Sequence, residues 1–146
     1  MNDYDQDDPD DARLKQYMWG DEESVKRFHA RRRSPLSEAQ ADVMGVANEK
    51  LWSRRVLPLK TMALVNVGIL ATLNRPHELH TRLRGLLRAG VRPEELREVL
   101  LQVSFYVGNP AGVDALTILV DAVNESRELG FLVHEPEVPE GWSAPT

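Results

Sequence analysis

Apolar residues through the middle of the chain recur at the three- and four-residue spacing of helices, with prolines and glycines as punctuation. Ser34-Pro35 sets a capping hydroxyl before a first-turn proline, and Leu36, Ala39, Val43, Val46 and Ala47 then mark the apolar stripe of a helix to about Lys50. Leu51–Leu57 (LWSRRVL) breaks the pattern and predicts a loop. Pro58 starts the most apolar segment, Leu59–Leu73, apolar on nearly every side and therefore predicted as a central, buried helix. Pro76 opens another helix, ended by Gly90, and Pro93 opens one running from Glu94 to about Val107. Pro110 opens the last long helix, ended by Gly130. Upstream, Asp21 can cap a helix to about Arg33, with Glu22 and Glu23 at its positive end and Arg31, Arg32 and Arg33 at its negative end. No period-two segment competes with these helices. The prediction is an all-α bundle of about six to seven helices, joined by links short enough to make antiparallel neighbours.

The two ends differ from this middle. Met1–Asp11 carries six aspartates and almost nothing apolar, which predicts a disordered acidic tail over residues 1–11. Glu135–Thr146 holds three prolines and a glycine, which predicts an extended C-terminal arm over residues 131–146, with Val138 and Trp142 as anchors for a neighbouring surface. Residues 12–130 are left as one helical domain, long enough to bury a core.

Composition narrows the function classes. A net charge of -5 argues against a nucleic-acid partner, and Arg31–Arg33 serve equally well to satisfy a helix dipole. With no cysteine there is no disulfide framework, thiolate-held metal or peroxidatic thiol. The four histidines (His29, His77, His80, His134) show no zinc-site spacing, so no metal is expected. The N-terminus is acidic, unlike a secretory signal. The longest uncharged run, Thr61–Asn74, falls short of the about 20 residues a bilayer span needs. A cytoplasmic protein without a membrane partner is expected.

The helix after Pro76 carries the most chemistry. At 100° per residue, Leu79, Leu83, Leu86 and Leu87 share one arc and predict its core face. Arg82 flanks that arc on one side and His80 on the other. Glu78 lies one turn before Arg82, at the spacing of an ion pair. Such a pair is either structural or the border of a pocket in which Arg82 takes a substrate carboxylate in two parallel hydrogen bonds.

The ordered string HEL…R…L…G…PEELREVLLQVSFYVGNPAG, preceded by LWSRRVLPLKTMALVNVGILATLNRP, resembles the carboxymuconolactone decarboxylase family. Its elements are a Trp-x-Arg segment before a long apolar helix, a Glu-Leu pair, a Gly-Val-x-x-Glu-Glu turn and a Tyr-x-Gly-x-Pro-Ala motif. The likeness extends from Trp19-Gly20 to about Glu125. It implies a fold like that of the AhpD alkylhydroperoxidase-related proteins, self-association as a trimer or hexamer, and no cofactor. The implied activity is removal of CO2 from a carboxylated muconolactone in the β-ketoadipate route of aromatic degradation, giving an enol-lactone. Two positions depart from the family pattern: Arg82 stands where a histidine usually follows the Glu-Leu pair, and Val107 where the decarboxylase branch often has cysteine. The Cys-x-x-Cys pair of the peroxidase branch is absent, which excludes that redox chemistry.

Cofactor-free decarboxylation needs an electron sink in the substrate, a cation for the carboxylate or developing enolate, and an acid to protonate carbon. The candidate catalytic residues are Glu78 as proton relay, Arg82 as permanent cation and Tyr106 as hydrogen-bond donor. Trp52, Arg54 (with Arg55 as an alternative second anion contact), His80 and Asn109 are the candidate substrate-binding residues. Trp52 equally suits packing, and Tyr106 equally suits a core position with its hydroxyl at the rim. Asn66, inside the apolar helix, needs a hydrogen-bond partner if buried. His77 and His29 are expected on the surface, and His134 beside the tail. Two functions compete: a cofactor-independent lyase acting on a small lactone or carboxylic acid, and a non-catalytic oligomeric ligand-binding relative.

Overall fold

The computed structural model describes residues 9–18, 26, 30 and 34–146, and among these the secondary structure is helical without a strand. Six helices follow one another: α1 (Pro9–Tyr17), α2 (Pro35–Trp52), α3 (Leu59–Thr72), α4 (Pro76–Ala89), α5 (Pro93–Tyr106) and α6 (Asn109–Glu128). The helix expected from Asp21 to about Arg33, including His29 and the three arginines, lies outside the described residues apart from Lys26 and Ala30.

The proline and glycine punctuation sets the boundaries. At α2 the Ser34 backbone N–H donates to Ser37 Oγ at 3.1 Å, and Pro35 fills a first-turn position whose N–H would go unused. At α5 Glu95 reaches back to accept the Arg92 N–H at 3.1 Å. Gly90 ends α4 at φ 97°, a left-handed conformation that costs a residue with a Cβ free energy. The expected loop begins two residues later than predicted, because Leu51 and Trp52 complete the last turn of α2.

The core is built on α4. Leu79, Leu83, Leu86 and Leu87 are all buried, as the helical wheel predicts, and pack with Leu59, Ala63 and Val67 of α3, Leu96 and Leu100 of α5, and Ala115, Leu119 and Ala122 of α6. At about 2 kcal/mol for each large side chain fully removed from water, these leucines dominate the folding free energy. α5 and α6 approach so closely that a Cβ on Gly112 would lie 1.7 Å from Ser104 Oγ.

Two expectations change, and a third helix is more open than the rest. The chain is helical from Pro9, inside the stretch predicted as a tail; Asp11 is 1% exposed and Leu14 and Met18 join the core. α3 is not enclosed: Leu59, Ala63, Val67 and Ala71 are buried, while Val65, Ile69 and Leu73 face outward. Among the described residues, helices cover only the side of α3 that carries Leu59, Ala63, Val67 and Ala71. The stripe on α2 is not buried either. No α2 residue is buried, Leu36 is 93% exposed, and no described helix packs along it.

After α6 the chain runs on without helix or strand, and polar contacts of its glutamates are among those that hold it to the bundle. Arg127 chelates the Glu135 carboxylate at 2.7–3.0 Å, Arg92 pairs with Glu137, and the Glu137 backbone N–H donates to Glu94 Oε1 at 2.6 Å. Val138 and Trp142 beyond these contacts are exposed.

Candidate active site

α4 begins at Pro76, so Glu78 and Arg82 lie in its first two turns, and the helix packs against α1. Arg82 is 8% exposed, an unusual setting for a side chain that is almost never buried without partners. Its Nη1 donates to the Met18 carbonyl at 2.7 Å, at the end of α1. The Trp52 ring covers the guanidinium, with Cζ 5.5 Å from the ring centroid, a cation–π contact strengthened by the absence of water. Removal from water pulls the Arg82 pKa well below the ordinary arginine value, to about 10, so the group remains a cation at neutral pH. Glu78, half-buried, lies one turn earlier on the same helix.

Two further links frame this corner. Arg55, partly buried in the α2–α3 link, donates to Asp11 Oδ2 at 2.8 Å, and Lys15 stands 3.4 Å from the same oxygen. Arg55 adopts φ 52°, so the link turns through a left-handed residue to make this pair. Composition offered no signal for it: Asp11 belongs to an acidic run, and its partner is 44 residues away.

The remaining candidates lie elsewhere or are committed to other partners. Arg54 is exposed, one residue from the Arg55–Asp11 pair. His80 points to the opposite flank of α4, where its Nε2 is 3.0 Å from Glu125 of α6; Arg84 holds the other oxygen of that carboxylate at 3.1 Å. Tyr106 is 78% exposed at the end of α5 and stacks edge-to-face on Phe105 with ring centroids 5.0 Å apart. It lines an open apolar groove of about 560 Å³ between α3 and α5, with Leu64, Gly68, Ile69 and Val99, and neither Glu78 nor Arg82 lines that groove. Asn109 is exposed at the start of α6. The structure thus brings Trp52 over Arg82, with Glu78 one turn earlier on the same helix, and places His80 on another partner and Tyr106 and Asn109 on exposed surface. His77 and His134 are exposed. Asn66 Oδ1 is buried without a hydrogen-bond partner among the described residues. No cluster of histidine, aspartate and glutamate among the described residues is suited to a metal ion, and no described helix is long and apolar enough to cross a membrane.

A cation held under an indole, with a carboxyl group one turn away, carries the charge that a small anion would need. Residues 37–121, more than half of the chain, match the model of the Carboxymuconolactone decarboxylase family. The chain belongs to that family. A curated relative, the 4-carboxymuconolactone decarboxylase of Acinetobacter baylyi, is 40% identical over 67 residues, covering 46% of this chain and 50% of the relative. The chain therefore spans about half the length of the curated relative it matches. No solved structure matches. The family span runs from α2 into α6, so it includes Trp52, Glu78 and Arg82 but excludes Asp11, Met18 and the C-terminal arm.

Proposed function

We propose that the protein is a cofactor-independent decarboxylase acting on a small lactone acid, with Arg82 as the group that grips the anion. The burial of Arg82 beneath Trp52 carries this reading. Family membership and the likeness to a 4-carboxymuconolactone decarboxylase supply the reaction class. In the proposed reaction the bond between the ring carbon and the carboxylate breaks and CO2 leaves. The electron pair passes into the conjugated lactone carbonyl, and the resulting dienolate takes a proton on carbon to give the enol-lactone. A fixed guanidinium stabilises the developing enolate oxygen more than the neutral carbonyl it replaces, which is the condition for lowering the barrier. The Glu78 carboxyl, one turn away, is the nearest candidate for the proton.

Arginine at this position stays charged through the cycle, so the proton must come from another group. Incubation with 4-carboxymuconolactone, followed by CO2 release and ultraviolet absorbance, tests the reading. Turnover that falls at least a hundredfold in both Arg82→Ala and Glu78→Gln is the expected result. No turnover by the unaltered protein overturns it.

One observation favours a second reading, a binding protein without turnover. Arg82 is tied to the Met18 carbonyl, which makes it a strut between α4 and α1 as well as a cation. Under that reading lactone acids bind with an affinity that depends on Arg82 but are recovered unchanged.

A further inference from the structure

Arg82 stands on α4 where the family pattern carries a histidine, and the exchange changes how the group must be held. A histidine ring is placed by two side-chain torsions. A guanidinium sits at the end of a longer, more flexible stem and has more rotamer freedom to lose. A displacement of about 1 Å at a reacting centre can cost about a hundredfold in rate. A cation in this position therefore needs fixing from outside its own helix.

The end of α1 supplies that hold. Met18, which follows α1, presents its carbonyl to Arg82 Nη1 at 2.7 Å, and the Trp52 ring covers the guanidinium at 5.5 Å. A planar group is fixed in direction when a face is covered and an edge nitrogen is bonded, and carbonyls at a helix C-terminus carry the partial negative charge that suits a cation. The bond is only as definite as the end of α1 itself. Tyr17, the residue before Met18, secures that end: its ring lies 4.5 Å from Arg88 Cζ, farther along α4, and the Phe131 ring meets the same guanidinium at 4.8 Å. At the other end of α1, Asp11 is paired with Arg55 at 2.8 Å, in the link that follows Trp52. Consecutive residues of α1 thus engage two arginines of α4, Tyr17 by its ring and Met18 by its carbonyl.

We infer that α1 is the orienting element of the Arg82 site, with Tyr17 and Arg88 as positioning residues. Their stack sets the Met18 carbonyl, and that carbonyl sets the direction in which Arg82 presents its charge to a substrate anion. The inference rests on the reading of Arg82 as the group that grips the anion. It also joins two features of this chain: arginine at the usual histidine position, and a helix that precedes the family span of residues 37–121. α1 buries Leu14 and Met18 in the core as well, and a purely structural helix would do the same. Orientation differs from structure in one respect: Arg82 must respond to loss of the Tyr17 ring, tolerate loss of its hydroxyl, and ignore an equal loss of stability elsewhere.

The Arg82 Nε–Hε resonance of the isotope-labelled full chain, assigned by its absence in Arg82→Met, gives the test. A sharp, dispersed peak is expected in the unaltered protein, in Tyr17→Phe and in Arg88→Lys, which keeps a cation on the ring. In Tyr17→Ala and Arg88→Ala it is expected to collapse into the range of freely rotating arginines, with helical circular dichroism retained. On 4-carboxymuconolactone, kcat/KM is expected to fall at least about tenfold in the two alanine variants and to recover to within about twofold in the two conservative ones. Val123→Ala, in the α6 core, controls for stability and is expected to leave the resonance unchanged. An unchanged resonance in Tyr17→Ala overturns the inference. So does a Tyr17→Phe protein that behaves like Tyr17→Ala, or a Val123→Ala protein that disturbs Arg82 equally. If Tyr17→Ala loses helix, Arg88→Ala decides by the same readout, since it leaves the sequence of α1 intact. Absence of turnover by the unaltered protein overturns the decarboxylase reading alone, because the resonance reports the positioning without it.

Discussion

Arg55 donates a 2.8 Å hydrogen bond to Asp11, joining the link after α2 to the first helix across 44 residues of sequence. The Asp11 side chain is 1% exposed and that of Arg55 13%, so the pair is largely shielded from water. Breaking a largely shielded pair costs about 3 kcal/mol where no other partner remains, and less for Arg55→Ala because Lys15 stays 3.4 Å from Asp11 Oδ2. Asp11→Ala and Arg55→Ala are each expected to lower the urea midpoint substantially, and the double variant is expected to be less destabilised than the sum. Additive effects in the double-mutant cycle would mean that the two residues act independently.

Gly112 sits where α6 crosses α5. A Cβ there would lie 1.7 Å from Ser104 Oγ, 2.5 Å from Ser104 Cβ and 2.7 Å from Ser104 Cα. Rotating the serine hydroxyl relieves only the first contact; the last involves backbone. Gly112→Ala must therefore separate the helices, at a cost of about 3 kcal/mol. Ser104→Ala removes only Oγ and is expected not to rescue it. A Gly112→Ala protein that melts within a degree or two of the unaltered chain would contradict this packing.

Helix boundaries were legible because proline, glycine and capping serine act locally: Pro35, Pro76 and Pro93 each open a helix where the punctuation predicts. The α4 core face was legible because one arc of leucines has one way to become buried. The outward face of α3 was misassigned for a physical reason. Periodicity identifies apolar surface but not what covers it, and α3 satisfies the bundle with Leu59, Ala63, Val67 and Ala71 alone. α1 was missed because its buried aspartate depends on Arg55, far along the chain, while its local composition is that of a solvated tail. At the candidate site, spacing placed Glu78 and Arg82 together on α4 from sequence. The Met18 carbonyl and the Trp52 ring over Arg82 are tertiary contacts that no local pattern encodes.

The C-terminal arm is held by exposed pairs, so its attachment is expected to be sensitive to salt and acid. The hydrogen bond and charge of Arg127 keep the Glu135 carboxyl below the usual carboxylate range, and the hydrogen bond from the Glu137 backbone does the same for Glu94. An acid whose folded pKa is lowered contributes stability that is present above its ordinary value. That contribution is lost as the pH falls through the lowered one. The arm should therefore stay docked at neutral pH and release as these glutamates protonate. Limited proteolysis checks this at neutral pH: Arg92→Ala/Arg127→Ala should be trimmed faster near residue 138, with its melting temperature nearly unchanged. Equal trimming rates would show that other contacts hold the arm.

Arg82 gives a titration of opposite chemical type. Burial lowers its pKa from the ordinary arginine value to about 10 because the cation loses water that the neutral form does not need. Between those values the folded protein binds fewer protons than the unfolded chain, so this group's contribution to stability rises with pH. It is complete above the unfolded value and is lost as the pH falls through about 10. The Trp52 ring over the guanidinium makes the change visible, since neutralising Arg82 removes the cation–π contact. In a Trp19→Phe/Trp142→Phe background, Trp52 emission is expected to be flat through neutral pH and to change with a midpoint near 10. Arg82→Lys should move that midpoint lower, because a lysine starts from a lower pKa and is depressed by the same desolvation. Arg82→Met should abolish it. A midpoint that persists unchanged in Arg82→Met would assign the transition to tyrosine ionisation and leave Arg82 without a measurable role in it.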